Sequence, residues 1–314
     1  MSKNSKIQWT DHSWPIVTGC IPKSAGCLNC YAIKDSWRLS HNPNLKIREI
    51  YTGTVEKKGE TLRWTGLIKY HPDRLKWVQQ WKKPARIFVS NMADLFSDDV
   101  PEWFLDLTWA YMAVYKHHTY QVLTKCPDRL HSYLNDPNTY QRIAMWINVE
   151  LDINKHPGNN YPPLPLNNWA YDKFSWPLSN VWVGVSVENE SVTHRIKTLL
   201  ETPATIRFIS CEPLLGPVEL RPHYLYDDYQ ESYRDNERLD WVIVGGESGP
   251  NARVCQVKWI QSIVNQCEQT GTPIFVKQLG SRSNLVVKGK GDNLEEWPQS
   301  LRVQEFPSMF SSLI

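Results

Sequence analysis

The stretch "VWVGVSVENESVTHRIKTLLETPATIRFISCEP", residues 181–213, decides how the chain reads. It opens on a near-continuous apolar, β-branched run at 181–187 and closes on a second one at 205–211. Between them, residues 190–202 carry apolar side chains at three- and four-residue spacing. Strict alternation would mark a strand with one wet face. A continuous run marks a strand buried on both faces, as in a parallel sheet. A helix between two such strands is the crossover that parallel pairing requires.

The same unit recurs outward from this stretch. Apolar runs lie in "ARIFVSNMADLF" (85–96), "TYQVLTK" (119–125), "LDWVIVGGESG" (239–249) and "PIFVKQLG" (273–280). Helical spacing fills 100–117 and 258–271. Pro101 suits the start of the first, with Asp98 or Asp99 as its cap, and Gly271 ends the second. A first strand is expected near "KIQWTDHSW" (6–14). The series predicts an α/β fold: a complete or partial (β/α) barrel of about 6–8 parallel strands, with a doubly wound open sheet as the alternative.

One domain over 1–314 accommodates this series, with insertions near 139–178 and 221–238. The first runs from a helical piece into Pro- and Asn-rich sequence, and the second is polar and Tyr-rich. Both fall where a βα loop or its helix belongs, and they read as surface decoration or as a lid or substrate platform.

Bulk properties exclude some classes. No run of about 18 apolar residues exists, so no membrane span is expected. The first residues, "MSKNSKIQWTDHSW", lack an apolar signal core, so a cytoplasmic location is expected. Seven cysteines, an odd number, suit reduced thiols better than a disulfide framework. The net charge of +2 does not by itself indicate nucleic acid. The 15 Trp and 14 Tyr either fill a large core or line a cleft that stacks a planar ligand.

In parallel α/β folds ligands sit beyond the carboxyl ends of the strands. Those ends carry Asn91 and Asp94, Lys125, Ser186 and Glu188, Glu212, Glu247 and Ser248, and Lys277 and Gln278. A lone acidic residue there is most simply a cap or a solvated loop residue. Six strands ending this way point to a polar rim around one ligand. In "VGGESGPNAR" (244–253), Gly245 and Gly246 allow close backbone approach and Arg253 suits an anion. The Walker spacing is missing, so this is not a P-loop.

The second signal is "GCIPKSAGCLNCYA" (19–32), with Cys20, Cys27 and Cys30. A structural zinc site wants four ligands. His12 is the candidate fourth, but no second CxxC follows. A cubane [4Fe–4S] cluster held by three thiolates keeps one iron open for substrate or cofactor. "CYAIKDSWRLSH" (30–41) reads as the helix leaving the loop.

On these residues the chain resembles the phage Gp37/Gp68-like family. Its three-cysteine motif is similar to that of radical S-adenosylmethionine enzymes. The matching stretches are "IQWTDHSW", "GCIPKSAGCLNCYA", "NMADLF", "LTKCPDRL", "VWVGVSVEN", "SCEPLLGPVEL", "VIVGGESGPNAR", "FVKQLG" and "EEWPQSLRVQEFP", in order along most of the chain. The resemblance implies a [4Fe–4S] cluster on Cys20, Cys27 and Cys30, with S-adenosyl-L-methionine on the open iron. It also implies an electron donor and a 5′-deoxyadenosyl radical that modifies a substrate. Two features depart from the usual radical motif: six residues, not three, separate the first two cysteines, and Asn29 rather than an aromatic precedes Cys30.

Position alone assigns Asn91, Asp94, Ser186, Glu188 and Glu247 to the S-adenosylmethionine contacts. It assigns Lys125, Glu212, Lys277 and Gln278 to substrate and catalysis. The sequence names no substrate, and the phage association makes nucleic acid the candidate. The alternative is a non-catalytic nucleic-acid-binding protein with a structural zinc or iron–sulfur site.

Overall fold

A computed structural model describes residues 5–149, 174–220, 224–225, 238–285 and 288–308. After β1 (His12–Trp14) and β2 (Val17–Thr18) come α1 (Tyr31–Ser40), α2 (Leu45–Tyr51), a hairpin of β3 (Val55–Lys58) and β4 (Thr61–Trp64), and β5 (Lys69–Tyr70). The repeating part follows as β6 (Arg86–Val89), α3 (Glu102–Val114), β7 (Thr119–Thr124), α4 (Pro127–Asn135), α5 (Thr139–Val149) and β8 (Val181–Ser186). It finishes with α6 (His194–Leu200), β9 (Ile206–Cys211), β10 (Trp241–Gly245), α7 (Val257–Thr270) and β11 (Ile274–Gln278).

The main sheet has seven strands in the order β1-β6-β7-β8-β9-β10-β11, and every pairing is parallel. Neighbours in sequence are neighbours in space, so the sheet winds in one direction as in a barrel. Its curvature is read from one contact. Trp9, just before β1, meets Trp241 of β10 edge-on at 6.3 Å between ring centroids. Five strand spacings separate those strands, about 24 Å in a flat sheet. The sheet is therefore a half-barrel, and the doubly wound alternative falls.

Period-2 alternation sorts the side chains. Val181, Val183, Val185 and Val187 face the helical layer, as do Ile209, Cys211, Val242, Val244, Ile274 and Val276. The concave face holds Trp182, Ile206, Phe208, Trp241, Ile243 and Phe275, packed with Trp9 and Phe88. Both faces are apolar at the amino ends of the strands, which explains the continuous runs in the sequence. Toward the carboxyl ends the concave positions turn small and polar: Trp182 gives way to Ser186 and Glu188, and Phe208 to Ser210 and Glu212. An aromatic floor thus closes one end of the half-barrel, and a polar rim opens the other.

Several details differ from the sequence reading. Pro101 sits at the N-cap of α3 without a side-chain cap, and Asp98 instead pairs with Lys23 at 3.4 Å. Residues 190–202 split into a 3-10 turn, Glu190–Val192, and the short α6. The Asn189 side chain accepts from the Ser191 amide at 3.0 Å and caps that turn. Residues 139–149 form α5, which packs in the helical layer with Ile143 and Ile147 in the core. Residues 150–173, 221–223 and 226–237 lie outside the described residues. Within 221–238, Tyr224 and Leu225 are buried in the core rather than on the surface. Among the described residues, no helix is long and apolar enough to cross a membrane.

Candidate functional site

A cleft of about 260 Å³ lies at the carboxyl ends of the strands, above Trp9, Phe88 and Leu123. All three cysteines border it. So do Asn91, Asp94, Lys125, Ser186, Glu212, Glu247, Lys277 and Gln278. Of the ten strand-end residues singled out from the sequence, Glu188 is the one that does not border the cleft; Gly245, Arg253 and His12 do not border it either.

Glu188 is 1 % exposed. Its Oε1 accepts from the Ser24 hydroxyl at 2.6 Å and from the Lys125 ammonium, and its Oε2 accepts from Arg195 at 3.2 Å. Arg195 also donates to the Ser186 carbonyl at 2.8 Å. Burial alone would raise this carboxyl. Lys125, Ser24 and Arg195 outweigh it and hold Glu188 below the ordinary glutamate value.

Glu247 is enclosed in the same way. Its Oε2 accepts from Asn29 at 3.0 Å and from the Arg253 amide and Nε at 2.8 and 2.9 Å. Its Oε1 accepts from Arg253 Nη2 at 2.6 Å. The Arg253 contacts and Asn29 overcome the effect of burial and hold Glu247 below the ordinary value. Arg253 is therefore not free for an anion. Its guanidinium forks onto a carboxylate six residues upstream, and its Nη1 donates to the Ala25 carbonyl at 2.8 Å.

Asp94 is internal too. Oδ1 accepts from the Phe96 amide at 3.0 Å and the Thr124 hydroxyl at 2.6 Å, and Oδ2 from the Lys125 amide at 2.7 Å. It ties the loop after β6 to the end of β7. Asp94, Glu188 and Glu247, expected to touch S-adenosylmethionine, thus arrive with a donor on every carboxylate oxygen.

Glu212 differs. Among the described residues its ion-pair partner is Lys277, at 3.0 and 3.3 Å, and both side chains border the cleft. Gly245 makes this possible: a Cβ there would lie 2.8 Å from Glu212 Oε1. This internal clearance, rather than approach to a ligand, is what Gly245 provides. Gln278 donates to the Gly246 carbonyl at 2.8 Å.

The cysteine loop lies across the rim. Cys27 is buried and accepts from the Lys23 amide at 3.4 Å; Cys20 and Cys30 are half-buried. Burial pushes the Cys20 thiol well up, and Asp94, Cys30 and Cys27 add to it; burial likewise raises Cys30. Such thiols stay protonated until a cation compensates the charge. All seven cysteines are free. Cys211, Cys255 and Cys267 are buried in the main core.

Cys20, Cys27 and Cys30 place three soft donors at the border of one cleft. Among the described residues, no group of three or more His, Cys, Asp or Glu is placed to hold one metal ion. His12, the expected fourth zinc ligand, instead stacks on Trp81 at 4.5 Å between ring centroids.

Sequence reasoning missed several residues here. Ser24, Asn29 and Arg195 carry no motif signal, yet each meets a rim carboxylate. Ser90 adopts φ +56, uncommon for a residue with a side chain, and only coordinates reveal it. Its hydroxyl, the Asn91 Oδ1 and the Trp9 Nε1 are buried without a hydrogen-bond partner beside the cleft.

Residues 4–302 match the model of a family described as protein of unknown function (DUF5131), and the chain belongs to that family. No curated protein and no solved structure matches it.

Proposed function

We propose that this member of an uncharacterised family is a radical S-adenosylmethionine-like enzyme, with a [4Fe–4S] cluster on Cys20, Cys27 and Cys30. One observation carries the reading: three thiols from a single loop after the first strand border the same cleft as polar groups from the ends of the other strands. When bound, a cluster with one open iron supplies one-electron cleavage of S-adenosylmethionine to a 5′-deoxyadenosyl radical.

The chain's own residues then divide the remaining work. The aromatic floor closes the amino end of the half-barrel and excludes water from it. Asn91 and Ser186 offer polar contacts to S-adenosylmethionine. Glu212, Lys277 and Gln278 face the substrate, with Glu212 and Lys277 able to hold or move a proton. Lys125 is oriented by Glu188. Reduced thiols accord with a cytoplasmic location and an electron-donor partner. The phage Gp37/Gp68 likeness makes nucleic acid the first substrate to try.

The rival, a non-catalytic nucleic-acid-binding protein, rests on basic helices and abundant Trp and Tyr for backbone contact and base stacking. Trp9, Trp14, Trp64, Trp109, Trp182, Trp241 and Trp297 are buried, whereas Trp103, Tyr31 and Tyr70 are exposed.

Anaerobic reconstitution tests the reading. It should yield about four irons and four sulfides per chain. Cys20→Ala, Cys27→Ala and Cys30→Ala should each abolish this, and Cys267→Ala should not. With dithionite, the loaded protein should convert S-adenosylmethionine to 5′-deoxyadenosine and methionine. A colourless protein with one zinc, or a reduced cluster that leaves S-adenosylmethionine intact, overturns it.

A further inference from the structure

The six residues between Cys20 and Cys27, "IPKSAG", are the feature that the cluster reading leaves unused. A spacer that only closed a loop would point into solvent. This one makes three contacts with the barrel rim, from consecutive residues. The Ser24 hydroxyl donates to Glu188 at 2.6 Å. The Ala25 carbonyl accepts from Arg253 at 2.8 Å. Gly26 lies against the Glu188 carboxyl so closely that a Cβ would sit 2.4 Å from Oε1 and 2.7 Å from Cγ. Beyond Cys27, the Asn29 side chain donates to Glu247 at 3.0 Å and to the Asn251 carbonyl at 2.8 Å.

The two rim groups are themselves fixed. Lys125 and Arg195 hold Glu188, and Arg253 forks onto Glu247. The loop is therefore gripped at two separated places, by the residue groups that follow β8 and β10.

We propose that the six-residue spacer is a docking segment, and that Glu188 and Glu247 are positioning residues that clamp the three-thiol loop onto the rim. The inference rests on the reading of that loop as the cluster holder. It replaces the ligand-contact role that position in the sequence assigns to both carboxylates. A rigid platform holds three ligands in one relative geometry with little ordering left to do on binding. The clamp builds that platform before any metal arrives.

Its test uses the full chain, metal-free and kept reduced, so that the outcome does not depend on a cluster forming. Iodoacetamide alkylation of each cysteine is followed by peptide mass spectrometry. Cys211 and Cys267, fully buried in the scaffold, report global opening. Gly26→Ala, Glu188→Gln and Ser24→Ala should each raise Cys27 alkylation about tenfold, as loss of a hydrogen bond to a charged group allows. The rates at Cys211 and Cys267 should not change in Gly26→Ala and Ser24→Ala, and in Glu188→Gln they should rise less than the rate at Cys27. Ser24→Ala leaves the Lys125–Glu188–Arg195 group intact, which covers the case of a Glu188 variant that fails to fold. A rise shared equally by Cys211 and Cys267 means that the carboxylates merely support the scaffold, and overturns the proposal. So does an unchanged rate at Cys27 in Gly26→Ala. Iron-free protein after reconstitution, with the local rise intact, would defeat the cluster reading and leave the clamp standing.

Discussion

Two Glu–Lys pairs occupy the rim, and they are built differently. Glu188 and Lys125 have side chains 1 % and 20 % exposed, while Glu212 and Lys277 are 13 % and 23 % exposed. The inner pair has Ser24 and Arg195 as further partners, whereas among the described residues the outer pair has no further side-chain partner. In sequence both carboxylates are acidic residues one or two places past an apolar strand. The difference teaches that two carboxylates alike in sequence position can differ in how many donors they already carry and in their access to water.

The largest effect should come from breaking the inner pair. Glu188→Ala leaves the Lys125 and Arg195 charges without a counter-charge. Removing one partner of a buried pair costs about 3–5 kcal/mol, and Lys125's residual access to water places this case near the lower figure. Urea melts measure it. A loss no greater than that of Glu212→Gln would erase the distinction between the pairs.

Acid sharpens the comparison with a smaller effect. Burial pushes His118 down to about 4, helped by the neighbouring His117 charge, and burial pushes His71 to about 4 as well. Both are neutral in the fold, so their contribution is complete above the unfolded value of about 6.5 and is lost as pH falls toward 4. For the fully buried His118 the loss between pH 7 and pH 5 should be about 2 kcal/mol. Glu188 and Glu247, held below the ordinary glutamate value, should stay ionised across that window. The gap between stabilities at pH 7 and pH 5 should therefore narrow in His118→Gln, with His71 leaving a residual difference, and keep its full size in Ser24→Ala. Equal acid sensitivity in the parent and His118→Gln would remove the histidine from the account.

The smallest stability effect belongs to the outer pair. Glu212→Gln should cost under about 1 kcal/mol, as for partly exposed ion pairs. On the proposed function, it should still release 5′-deoxyadenosine slowly while substrate turnover falls at least tenfold. A large drop in melting temperature would make Glu212 part of the scaffold.

The strands were legible because both faces of a half-barrel are buried at their amino ends, which leaves continuous runs such as 181–187. The cleft was legible because a parallel sheet collects its strand ends on one side. The β3–β4 hairpin was not: its residues are mostly exposed, and Lys57, Lys58 and Glu60 carry no apolar pattern. Arg253 and Asp98 were misplaced because their partners, Glu247 with Ala25 and Lys23, depend on where the cysteine loop lands.

The sequence by itself determined the parallel class and the gathering of Cys20, Cys27 and Cys30 in one loop, while the winding of the sheet as a half-barrel rather than a doubly wound sheet came from the structure. The first two follow from local pattern and chain connectivity, which need no knowledge of distant partners. Only the tertiary structure decided which donors each rim carboxylate meets. Glu188 meets Ser24 across 164 residues, and Asn29 meets Glu247 across 218. Hydrogen-bond donors at such separations are brought together by the curvature of the sheet, and no local spacing encodes them.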